Sequence, residues 1–355
     1  MSVPESRIAF LAGAEALRII RERGLRAEDV DVMPAASGGP KWIILNGIDR
    51  VLFGGFLAHR TRPLHLVGSS IGAWRLACLA QRDPVAALAR LEEGYFSQRY
   101  TSKPSPEQVT KVSDEILGHL LGESGAEEIL SHPWARMHVI TARARGLFAS
   151  ERRNVQLLGV ALAAVGNMVS RRLLALSLER VVFHTSDSTP FVGWNDLPTR
   201  HLQLTRENLR GALLATGSIP LVLAGVRFPG GPAGVFRDGG VVDYHLDLDF
   251  DACAGLVLYP HFYPYMVPGW FDKSLGWRRA RAHNFRRTLV IAPSPSVIDR
   301  LPGNKIPDRD DFYKMSTDER LKAWRSVLAE SARMGEELQE ILATGRLAEH
   351  VQPFG

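Results

Sequence analysis

Cysteine is scarce in this sequence, whose 355 residues include only Cys78 and Cys253. Both lie in apolar surroundings, and two cysteines are too few for the disulfide framework of a small secreted domain. The scarcity is typical of a reducing compartment, and the sequence therefore predicts a cytoplasmic protein.

Long apolar runs are also missing. The longest, LLGVALAAVGNMV at 157–169, falls short of the roughly 18 residues that a membrane-spanning helix needs. The N-terminus shows neither the basic start nor the small-residue cleavage site of a signal peptide. We therefore expect no spanning helix and no signal peptide, whereas peripheral contact with a membrane stays open.

Motifs for metals and nucleotides are absent as well. No pair of histidines or cysteines has zinc-ligand spacing, and no P-loop or ordered Gly-x-Gly-x-x-Gly occurs. Asp247, Asp249 and Asp251 have the spacing of a calcium loop, but Ala252 and Leu258 stand where that loop needs Gly and Glu. Their alternation with apolar residues predicts instead a strand with one solvated face. We predict no metal and no organic cofactor.

Charge of neither sign dominates the chain. It carries 43 Lys and Arg against 38 Asp and Glu, a formal net charge of +5. That weak excess is compatible with an anionic membrane surface, and we expect no nucleic-acid partner. Aromatic residues and prolines concentrate at 259–271, and basic residues follow. The segment 259–287 is therefore a candidate for peripheral membrane contact, or equally a loop packed on the core with a solvated basic helix.

The apolar segments that do occur alternate between strand and helix patterns. A strand and glycine loop at 29–39, helical residues at 41–57, a strand at 64–68 and a helix at 70–81 follow one another. This order predicts a parallel sheet covered by helices, with ligands near the carboxyl ends of the strands. We predict an α/β fold of three layers, in which helices flank a mainly parallel central sheet.

The remaining segments continue this pattern. Further helices are predicted at 8–23 with Gly24 as the stop, at 84–132 with a polar break at 101–108, at 155–178, at 205–220 with Thr205 as the cap, and at 317–343. Further strands are predicted at 136–146, 180–186, 234–240, 254–260 and 287–294. Nothing marks a clean linker, so we predict one domain over residues 1–355 with helical insertions.

A glycine–serine stretch, Gly68-Ser69-Ser70-Ile71-Gly72, joins a predicted strand to a predicted helix. A nucleophile on a sharp strand-to-helix turn needs small residues on both sides, as Gly68 and Gly72 are for Ser70. The helix that follows directs its free amides and positive dipole end toward the site, which stabilises negative charge during acyl transfer. The alternative is a turn that only caps the helix.

A second glycine stretch, ASGGPKW, follows the first buried strand. The amides of Gly38 and Gly39 can approach a ligand closely and donate hydrogen bonds to an oxyanion. Ser37 and Lys41 flank these glycines as further motif residues. The alternative is an ordinary turn between strand and helix, with Lys41 in solvent.

An aspartate turn lies far downstream. In the stretch FRDGGVVDYH, Asp238 ends a predicted strand and precedes Gly239 and Gly240. A carboxylate held there can accept the proton of Ser70 directly. By itself, however, an Asp-Gly turn between two strands is the more ordinary interpretation.

Together, these three stretches resemble the patatin-like phospholipase family, whose members are lipid acyl hydrolases. That family combines a glycine-rich oxyanion loop, a Gly-x-Ser-x-Gly turn and an Asp-Gly-Gly/Ala turn in this order. The sequence LLATGSIPLVLAGVRF at 213–228 is similar to the family's small-residue helix end. The resemblance covers roughly residues 30–250.

The resemblance implies a role for each motif residue. Ser70 corresponds to the family's nucleophile, and Asp238 corresponds to its base. Gly38 and Gly39 fall on the oxyanion loop, and Lys41 falls on the usual basic position after it.

Two positions depart from the family's loop, since Ser37 stands at its first glycine and Trp42 at its last. The resemblance also implies a patatin-like organisation of the chain. Its core would cover about 30–250, a helical insertion about 84–178, and C-terminal strands and a long helix 251–355.

The activity implied by the resemblance is that of a serine acyl hydrolase, similar to phospholipase A or a lysophospholipase. Its substrate would be a lipid or another acyl ester, cleaved through an acyl-enzyme. Two alternatives stay open. His245 and His283 follow Asp238 in the chain order of a Ser-His-Asp esterase. A patatin-like scaffold could also bind lipid without turnover.

Overall fold

Ten β-strands form one sheet in the computed structural model, which describes residues 6–100 and 104–354. In chain order the strands are β1 (Ile8–Ala12), β2 (Val30–Ala35), β3 (Leu64–Ser69), β4 (Ala135–Ala144), β5 (Leu178–His184), β6 (Thr199–Gln203), β7 (Val235–Asp238), β8 (Leu256–Pro260), β9 (Thr288–Pro293) and β10 (Val351–Pro353). The two ends of the predicted 1–355 domain and residues 101–103 of the predicted polar break lie outside the described residues.

The sheet is mixed, with a parallel centre. Its strand order is β10-β1-β9-β8-β2-β3-β4-β5-β6, and β7 also pairs with β4. Neighbouring strands from β9 across to β4 are parallel. In contrast, β1 is antiparallel to β9, and both β5 and β7 are antiparallel to β4. Because β2 and β3 are parallel neighbours, the loops that follow them emerge at the same edge of the sheet.

Helices connect the strands throughout the described residues. The α-helices are α1 (Ala14–Arg23), α2 (Asn46–Val51), α3 (Ile71–Leu79), α4 (Pro84–Phe96), α5 (Pro106–Leu121), α6 (Gly125–Leu130), α7 (Arg153–Val169), α8 (Leu209–Thr216), α9 (Pro295–Arg300), α10 (Asp311–Lys314), α11 (Thr317–Thr344) and α12 (Leu347–His350). Turns of 3₁₀-helix span Ala27–Asp29, Gly39–Leu45, Gly146–Ala149, Arg171–Leu176, Pro190–Gly193, Gly239–Val241, Trp270–Asp272, Ala282–Phe285 and Pro302–Asn304, and a π-helical turn spans Leu52–Phe56.

Helices flank the sheet because its central strands bury both faces. Along β3, Leu64 and Leu66 belong to one hydrophobic cluster, whereas Val67 belongs to another. Strands that are buried on both faces consist of nearly continuous apolar residues. The predicted α/β class, with a central sheet flanked by helices, is therefore confirmed.

The long C-terminal helix α11 begins and ends where its sequence dictates. Ser316 and Glu319 form a capping box at its start, and Gly345 ends it in the left-handed conformation with φ 66°. The helix crosses α2 closely, since a Cβ at Gly47 would overlap the backbone carbonyl of Ser331. The helix predicted at 317–343 is thus confirmed.

The helix predicted at 8–23 is wrong in its first part. Residues Ile8–Ala12 form β1, which pairs with β9 and β10, and α1 starts only at Ala14. Burial alternates along β1, but over five residues this period is easily taken for one face of a helix. Gly13 separates strand from helix because a Cβ there would overlap the carbonyl of Phe285.

The predicted helix cap at Thr205 is also wrong. Helix α8 spans Leu209–Thr216, and Asn208 occupies its N-cap position. The amide of Thr205 donates a hydrogen bond of 2.9 Å to Oδ1 of Asn208, so the preceding residues form a turn rather than helix.

The strand predicted over the three aspartates does not form. Residues 243–251 are irregular in the structure. Asp247 is buried and accepts hydrogen bonds from the amide of Arg281 and the side chain of Asn284. The alternation in the sequence therefore reflects a loop whose carboxylates are bound by donors from other segments, and the solvated face is wrong for Asp247.

The apolar segment 157–169 lies within α7, inside the helical region predicted at 155–178. Several of its large side chains, among them Leu158, Leu162 and Val165, are more than half exposed. No helix among the described residues is both long and apolar enough to cross a bilayer.

Candidate active site

The turn from β3 to α3 holds Ser70 in a strained backbone conformation. Ser70 has φ 54° and ψ −134°, a region that non-glycine residues rarely adopt. Its neighbours allow this sharp turn because they lack side chains. A Cβ at Gly68 would lie 2.6 Å from the Cα of Ala73, and one at Gly72 would overlap the carbonyl of Ala35. This strained turn aims the Ser70 hydroxyl away from the strand.

The structure brings Ser70 and Asp238 into direct contact. Ser70 Oγ donates a hydrogen bond of 2.8 Å to Asp238 Oδ2, and both residues are buried. Asp238 ends β7, whose pairing with β4 places it opposite Thr141. Its other oxygen, Oδ1, accepts a hydrogen bond of 2.7 Å from the amide of Gly240. One carboxylate oxygen is therefore fixed by the turn, while the other faces the serine.

The Asp-Gly-Gly turn is tightly packed. A Cβ at Gly239 would overlap the carbonyl of Ile140 in β4, and a Cβ at Gly240 would overlap the hydroxyl of Ser37. The two glycines therefore let the turn lie against both β4 and the loop after β2.

Burial raises the pKa of Asp238 from its ordinary value to about 6. Hydrogen bonds from Ser70 and from the Gly240 amide counteract part of this shift, as do the positive charges of Arg309 and Lys273. At neutral pH the carboxylate is mostly ionised, yet it holds a proton far better than a solvated aspartate does. A pKa near the operating pH suits a general base.

A threonine from α8 supports the serine turn. The amide of Ser70 donates a hydrogen bond of 2.8 Å to Thr216 Oγ1, and the Thr216 hydroxyl donates in turn to the carbonyl of Ile140. The amide of Ser70 is thus occupied and is not free to bind an oxyanion. Sequence reasoning did not single out Thr216, since a threonine in an apolar helix carries no distinctive signal.

The glycine loop after β2 presents free amides beside the serine. Gly38 has an extended φ of −177°, whereas Gly39 has φ 55° and lies in the left-handed region. Among the described residues, neither amide has a hydrogen-bond acceptor. Both glycines line the same cavity as Ser70, so their amides are available to a ligand there.

Ser37 and Ser69 join the loop to the serine turn. Their hydroxyl oxygens lie 2.8 Å apart, and the Ser69 hydroxyl donates a hydrogen bond of 2.9 Å to the carbonyl of Asp243. Both serines are buried. Ser37, which departs from the resembled family's glycine, therefore connects three neighbouring segments.

Lys41 does not extend freely into solvent. The residue is half-buried and lines a cavity with Ser70 and Asp238. Burial lowers the pKa of its ammonium from the usual value, and the charges of Lys305 and Arg309 add to that effect against the opposing charge of Asp308. The solvated-turn alternative is therefore wrong for this residue.

Two cavities meet at Ser70. The larger encloses about 680 Å³, and its apolar lining includes Trp74, Ile116 and Leu221. The smaller encloses about 210 Å³, and charged residues of both signs line it beside apolar residues such as Ile219 and Trp270. Ser70 therefore lies between an apolar volume and a charged one.

Two cations of the smaller cavity, Lys273 and Arg309, were not predicted as residues of the site. Lys273 belongs to the segment 259–287, which was predicted to contact a membrane, and Arg309 lies in no predicted motif. Only the fold places them near Ser70.

The histidines of the triad alternative do not reach the serine. His245 is buried, and its Nδ1 accepts a hydrogen bond of 3.0 Å from the amide of Val267. Burial holds the pKa of His245 well below its usual range. His283 is exposed and lies 3.2 Å from Asp251. In the described residues the hydrogen-bond partner of the Ser70 hydroxyl is a carboxylate, not an imidazole.

His283 also belongs to a small group on the surface. Its ring and the carboxylates of Asp249 and Asp251 lie within 4.8 Å of one another. Such exposed acidic groups are common in proteins without any ion, and the prediction of no metal stays a prediction.

The aromatic segment at 259–271 is partly packed into the core. Tyr259 and Phe262 are buried, whereas Tyr265 is 55% exposed and Trp277, further along, is 67% exposed. The predicted membrane contact through 259–287 therefore has few apolar side chains to offer, and it stays a prediction.

Comparison with known proteins adds one match. A family model described as patatin-like phospholipase matches residues 50–245, which is more than half of the chain. The matched region contains Ser70 and Asp238, and it ends before Lys273 and Arg309. No curated protein matches the chain.

Proposed function

Because the chain belongs to the patatin-like phospholipase family, we propose that it is a serine hydrolase that cleaves fatty acyl esters of lipids through Ser70 and Asp238. The observation that carries the proposal is the 2.8 Å hydrogen bond from the strained Ser70 to the buried Asp238. A serine hydroxyl is a weak nucleophile until an adjacent base takes its proton, and Asp238 is the base in contact with it.

In the first half of the reaction the enzyme becomes acylated. Ser70 Oγ attacks the ester carbonyl carbon while its proton passes to Asp238 Oδ2. The carbonyl oxygen takes up the negative charge and accepts hydrogen bonds from the amides of Gly38 and Gly39. The bond between the acyl carbon and the alcohol oxygen then breaks, and the leaving oxygen takes the proton from Asp238.

In the second half, water releases the fatty acid. Asp238 takes a proton from water as the water oxygen attacks the acyl carbon, and the same amides bind the oxyanion. The bond to Ser70 Oγ breaks, Oγ recovers the proton from Asp238, and the carboxylic acid leaves. Every group that the two halves require comes from Ser70, Asp238 and the glycine loop.

The larger cavity suits the acyl chain of such a substrate. Its volume of about 680 Å³ and its lining by Trp74, Ile116 and Leu221 favour an apolar chain that reaches Ser70. We infer a substrate of the kind that phospholipase A or a lysophospholipase accepts. We also infer the three-layer arrangement and a single domain. The single domain is supported by the pairing of β1 with β10, because these two strands come from opposite ends of the chain.

A simple comparison tests the proposal. The native protein and Ser70→Ala are incubated with phosphatidylcholine, a lysophospholipid and a monoacylglycerol, and released fatty acid is measured by mass spectrometry. Ser188→Ala, which changes an exposed serine, is the matched control. We expect release by the native protein and the control, and none by Ser70→Ala.

Two other results would redirect the proposal. If Ser70→Ala still releases fatty acid, the nucleophile is a residue other than Ser70. If folded native protein binds lipid saturably but releases no fatty acid, the non-catalytic lipid-binding alternative is favoured.

A further inference from the structure

Three cations line the smaller cavity next to the serine, and Asp238, Asp308 and Asp310 line it too. Lys41, Lys273 and Arg309 line this volume of about 210 Å³ together with Ser70 and Gly39. They come from three separate segments: the loop after β2, the chain after the 3₁₀ turn Trp270–Asp272, and the chain before α10. The fold, and not one local motif, therefore assembles the cluster.

Among the described residues, none of these three cations lies within ion-pair distance of an acid. The acids nearby are engaged elsewhere, since Asp308 lies 3.0 Å from Lys305 and Asp310 lies 2.7 Å from Lys314. Because Asp308 and Asp310 are paired with other lysines, the three cations outnumber the remaining acid of the cavity, Asp238, and a bound anion would relieve their mutual repulsion.

The position of Lys273 also favours a bound anion in this cavity. Although much of the residue is exposed, its ammonium lies over the ring of Tyr244 at 3.9 Å from the ring centre. Loss of water around the ammonium lowers the pKa of Lys273 to about 7, and the charges of Arg309 and Lys41 contribute. An ammonium that is poorly solvated gains more from an anionic partner than one in bulk water.

We propose that Lys41, Lys273 and Arg309 bind a phosphate group, carried by the substrate next to the ester that Ser70 attacks. The proposal rests on the proposed function and narrows its substrates to phosphate-bearing lipids. The acyl chain would occupy the larger cavity and the phosphate the smaller one, with the ester between them at Ser70.

The test compares two substrates that differ only in the phosphate: a lysophosphatidic acid and the monoacylglycerol with the same acyl chain. The measured quantity is the ratio of their kcat/KM values in the native protein, in a Lys273→Ala/Arg309→Ala double variant and in Lys322→Ala, an exposed control. In the native protein we expect kcat/KM to be higher for the lysophosphatidic acid than for the monoacylglycerol. In the double variant this ratio should fall at least tenfold, because the KM for the lysophosphatidic acid rises. The control should keep the native ratio.

Calorimetric titration with inorganic phosphate separates the possible sources of the anion. Competition between phosphate and the lysophosphatidic acid supports a substrate head group. Phosphate binding that the double variant loses, without any substrate preference, assigns the cavity to free phosphate instead. Absence of both effects overturns the proposal, and labelling of Ser70 by a fluorophosphonate reports separately whether the nucleophile works.

A different observation concerns helix α7. Within the described residues, most large apolar side chains that are exposed lie between 147 and 176. They form what we call the α7 face: Leu147, Leu157, Leu158, Leu162, Val165, Met168, Val169, Leu173 and Leu176. Leu158, Leu162, Val165 and Val169 follow one another at helical spacing and therefore share one side of α7, and an exposed apolar patch of this kind marks a site of interaction.

The charges around the α7 face are positive. Helix α7 contains no Asp or Glu, and the exposed Arg152, Arg153 and Arg172 lie at its two ends. The exposed Glu151 is paired, since it lies 2.9 Å from Arg237. Apolar side chains bordered by arginines match a lipid surface that carries negative head groups.

The α7 face also adjoins the larger cavity. Arg153 at the start of α7 lines that cavity, and so does Leu221. Gln156, one turn into α7, accepts a hydrogen bond of 2.8 Å from the amide of Leu221. The helix that carries the exposed side chains is thus attached to the wall of the cavity that leads to Ser70.

We infer that the α7 face docks the protein on an anionic lipid bilayer and places the larger cavity against the lipid. Binding is measured by sedimentation with vesicles of phosphatidylcholine alone and of an equal mixture with phosphatidylglycerol. The Ser70→Ala background prevents hydrolysis during the experiment. We expect stronger binding to the anionic vesicles and at least a tenfold loss in Leu158→Glu/Leu162→Glu.

A second pair of substitutions tests the rival surface. Tyr265→Glu/Trp277→Glu changes the two exposed aromatics of the segment 259–287 and should keep vesicle binding. If this variant loses binding and Leu158→Glu/Leu162→Glu keeps it, the α7 face is not the membrane surface. Light scattering that shows a native dimer, dissociated by the α7 substitutions, would assign the face to a second copy of the chain instead.

Discussion

The hydroxyl of Ser70 and the carboxylate of Asp238 are joined by a 2.8 Å hydrogen bond, although 168 positions separate them in the chain. Ser70 follows β3 and Asp238 ends β7, and both strands pair with β4. The contact is therefore fixed by the sheet and not by a mobile loop. Its chemical consequence is that the proton of Ser70 has a carboxylate, not an imidazole, as its first acceptor.

Replacing Asp238 by Asn should abolish most of the hydrolysis. The amide keeps the shape of the side chain but cannot accept the Ser70 proton. We expect kcat to fall by at least a hundredfold, within the range of roughly 10²–10⁴ typical of general base catalysis. His245→Ala and His283→Ala are the comparison variants and should retain kcat within about tenfold, or 1.4 kcal/mol of barrier. Collapse of activity in either histidine variant would favour the Ser-His-Asp alternative.

The pH dependence of hydrolysis should report the carboxyl of Asp238. Its pKa is raised to about 6 by burial, and a base acts only when deprotonated. With an uncharged monoacylglycerol as substrate, kcat/KM should therefore be constant above pH 7, fall with a midpoint near pH 6, and decline about tenfold per pH unit well below it. A midpoint near pH 4 would mean that the carboxyl is solvated as in a free aspartate.

The same pKa predicts a gain in stability when Asp238 is replaced. Since the pKa is raised on folding, the protonated carboxyl favours the folded state below pH 4, and that contribution is lost as the pH rises through about 6. Asp238→Asn should therefore melt at a higher temperature than the native protein at pH 8, and the difference should shrink toward pH 4. Calorimetry at both pH values measures this directly. A difference that does not change with pH would contradict the prediction.

A row of histidines should limit stability in acid. Nδ1 of His65 lies 3.0 Å from Nε2 of the buried His138, so one of these nitrogens must accept. Burial lowers the pKa of His65 to about 4 and that of His138 well below its usual value. The contribution of these neutral histidines to the free energy of unfolding should be fully present above pH 6.5 and should be lost as the pH falls from there toward 4. His65→Gln, which cannot protonate, should reduce the loss in melting temperature between pH 7 and pH 5.

The local motifs of the site could be predicted from the sequence because their chemistry is local. Gly68 and Gly72 are required by the turn that Ser70 occupies, and a glycine must follow Asp238 where the chain packs against β4. Lys273 and Arg309 could not be predicted, since only the packing of distant segments brings them to the cavity.

The fold was predictable to a similar extent. The strands β2 and β3 follow from short, largely apolar sequences that are buried along most of their length. The edge strands β6 and β10 were missed because TRHLQ and VQP are short, polar and half-exposed, and pairing with a neighbour is what makes them strands. The aspartates at 247–251 mimic a strand for the opposite reason, since acidic and apolar residues alternate in the sequence although the loop buries Asp247 together with Leu246 and Leu248.

Replacing Gly39 by alanine tests the glycine loop. Gly39 has φ 55°, which an alanine adopts only at a cost of about 1–2 kcal/mol, although its Cβ would have room, with the Arg309 side chain 3.6 Å away. The loop should shift to relieve this strain and displace an oxyanion donor, which lowers kcat by roughly 10²–10³. Gly230→Ala, at φ 69° in an open turn, carries the same strain elsewhere and should keep kcat. Unchanged kcat in Gly39→Ala would place the oxyanion donors outside this loop.

Trp42 should prove to be a packing residue whose replacement by glycine does not raise activity. Trp42 stands where the family has glycine, but it is 1% exposed and its ring meets that of Tyr95 edge-on at 5.7 Å. Tyr95 in turn lines the larger cavity. Trp42→Gly should lower the free energy of unfolding by about 3–5 kcal/mol or more, as expected for removal of a buried aromatic side chain. Urea unfolding and kcat are measured together with Trp42→Phe, which keeps an aromatic ring and should recover most of the stability. A Trp42→Gly protein with native stability and higher kcat would show that the indole obstructs the site rather than supports it.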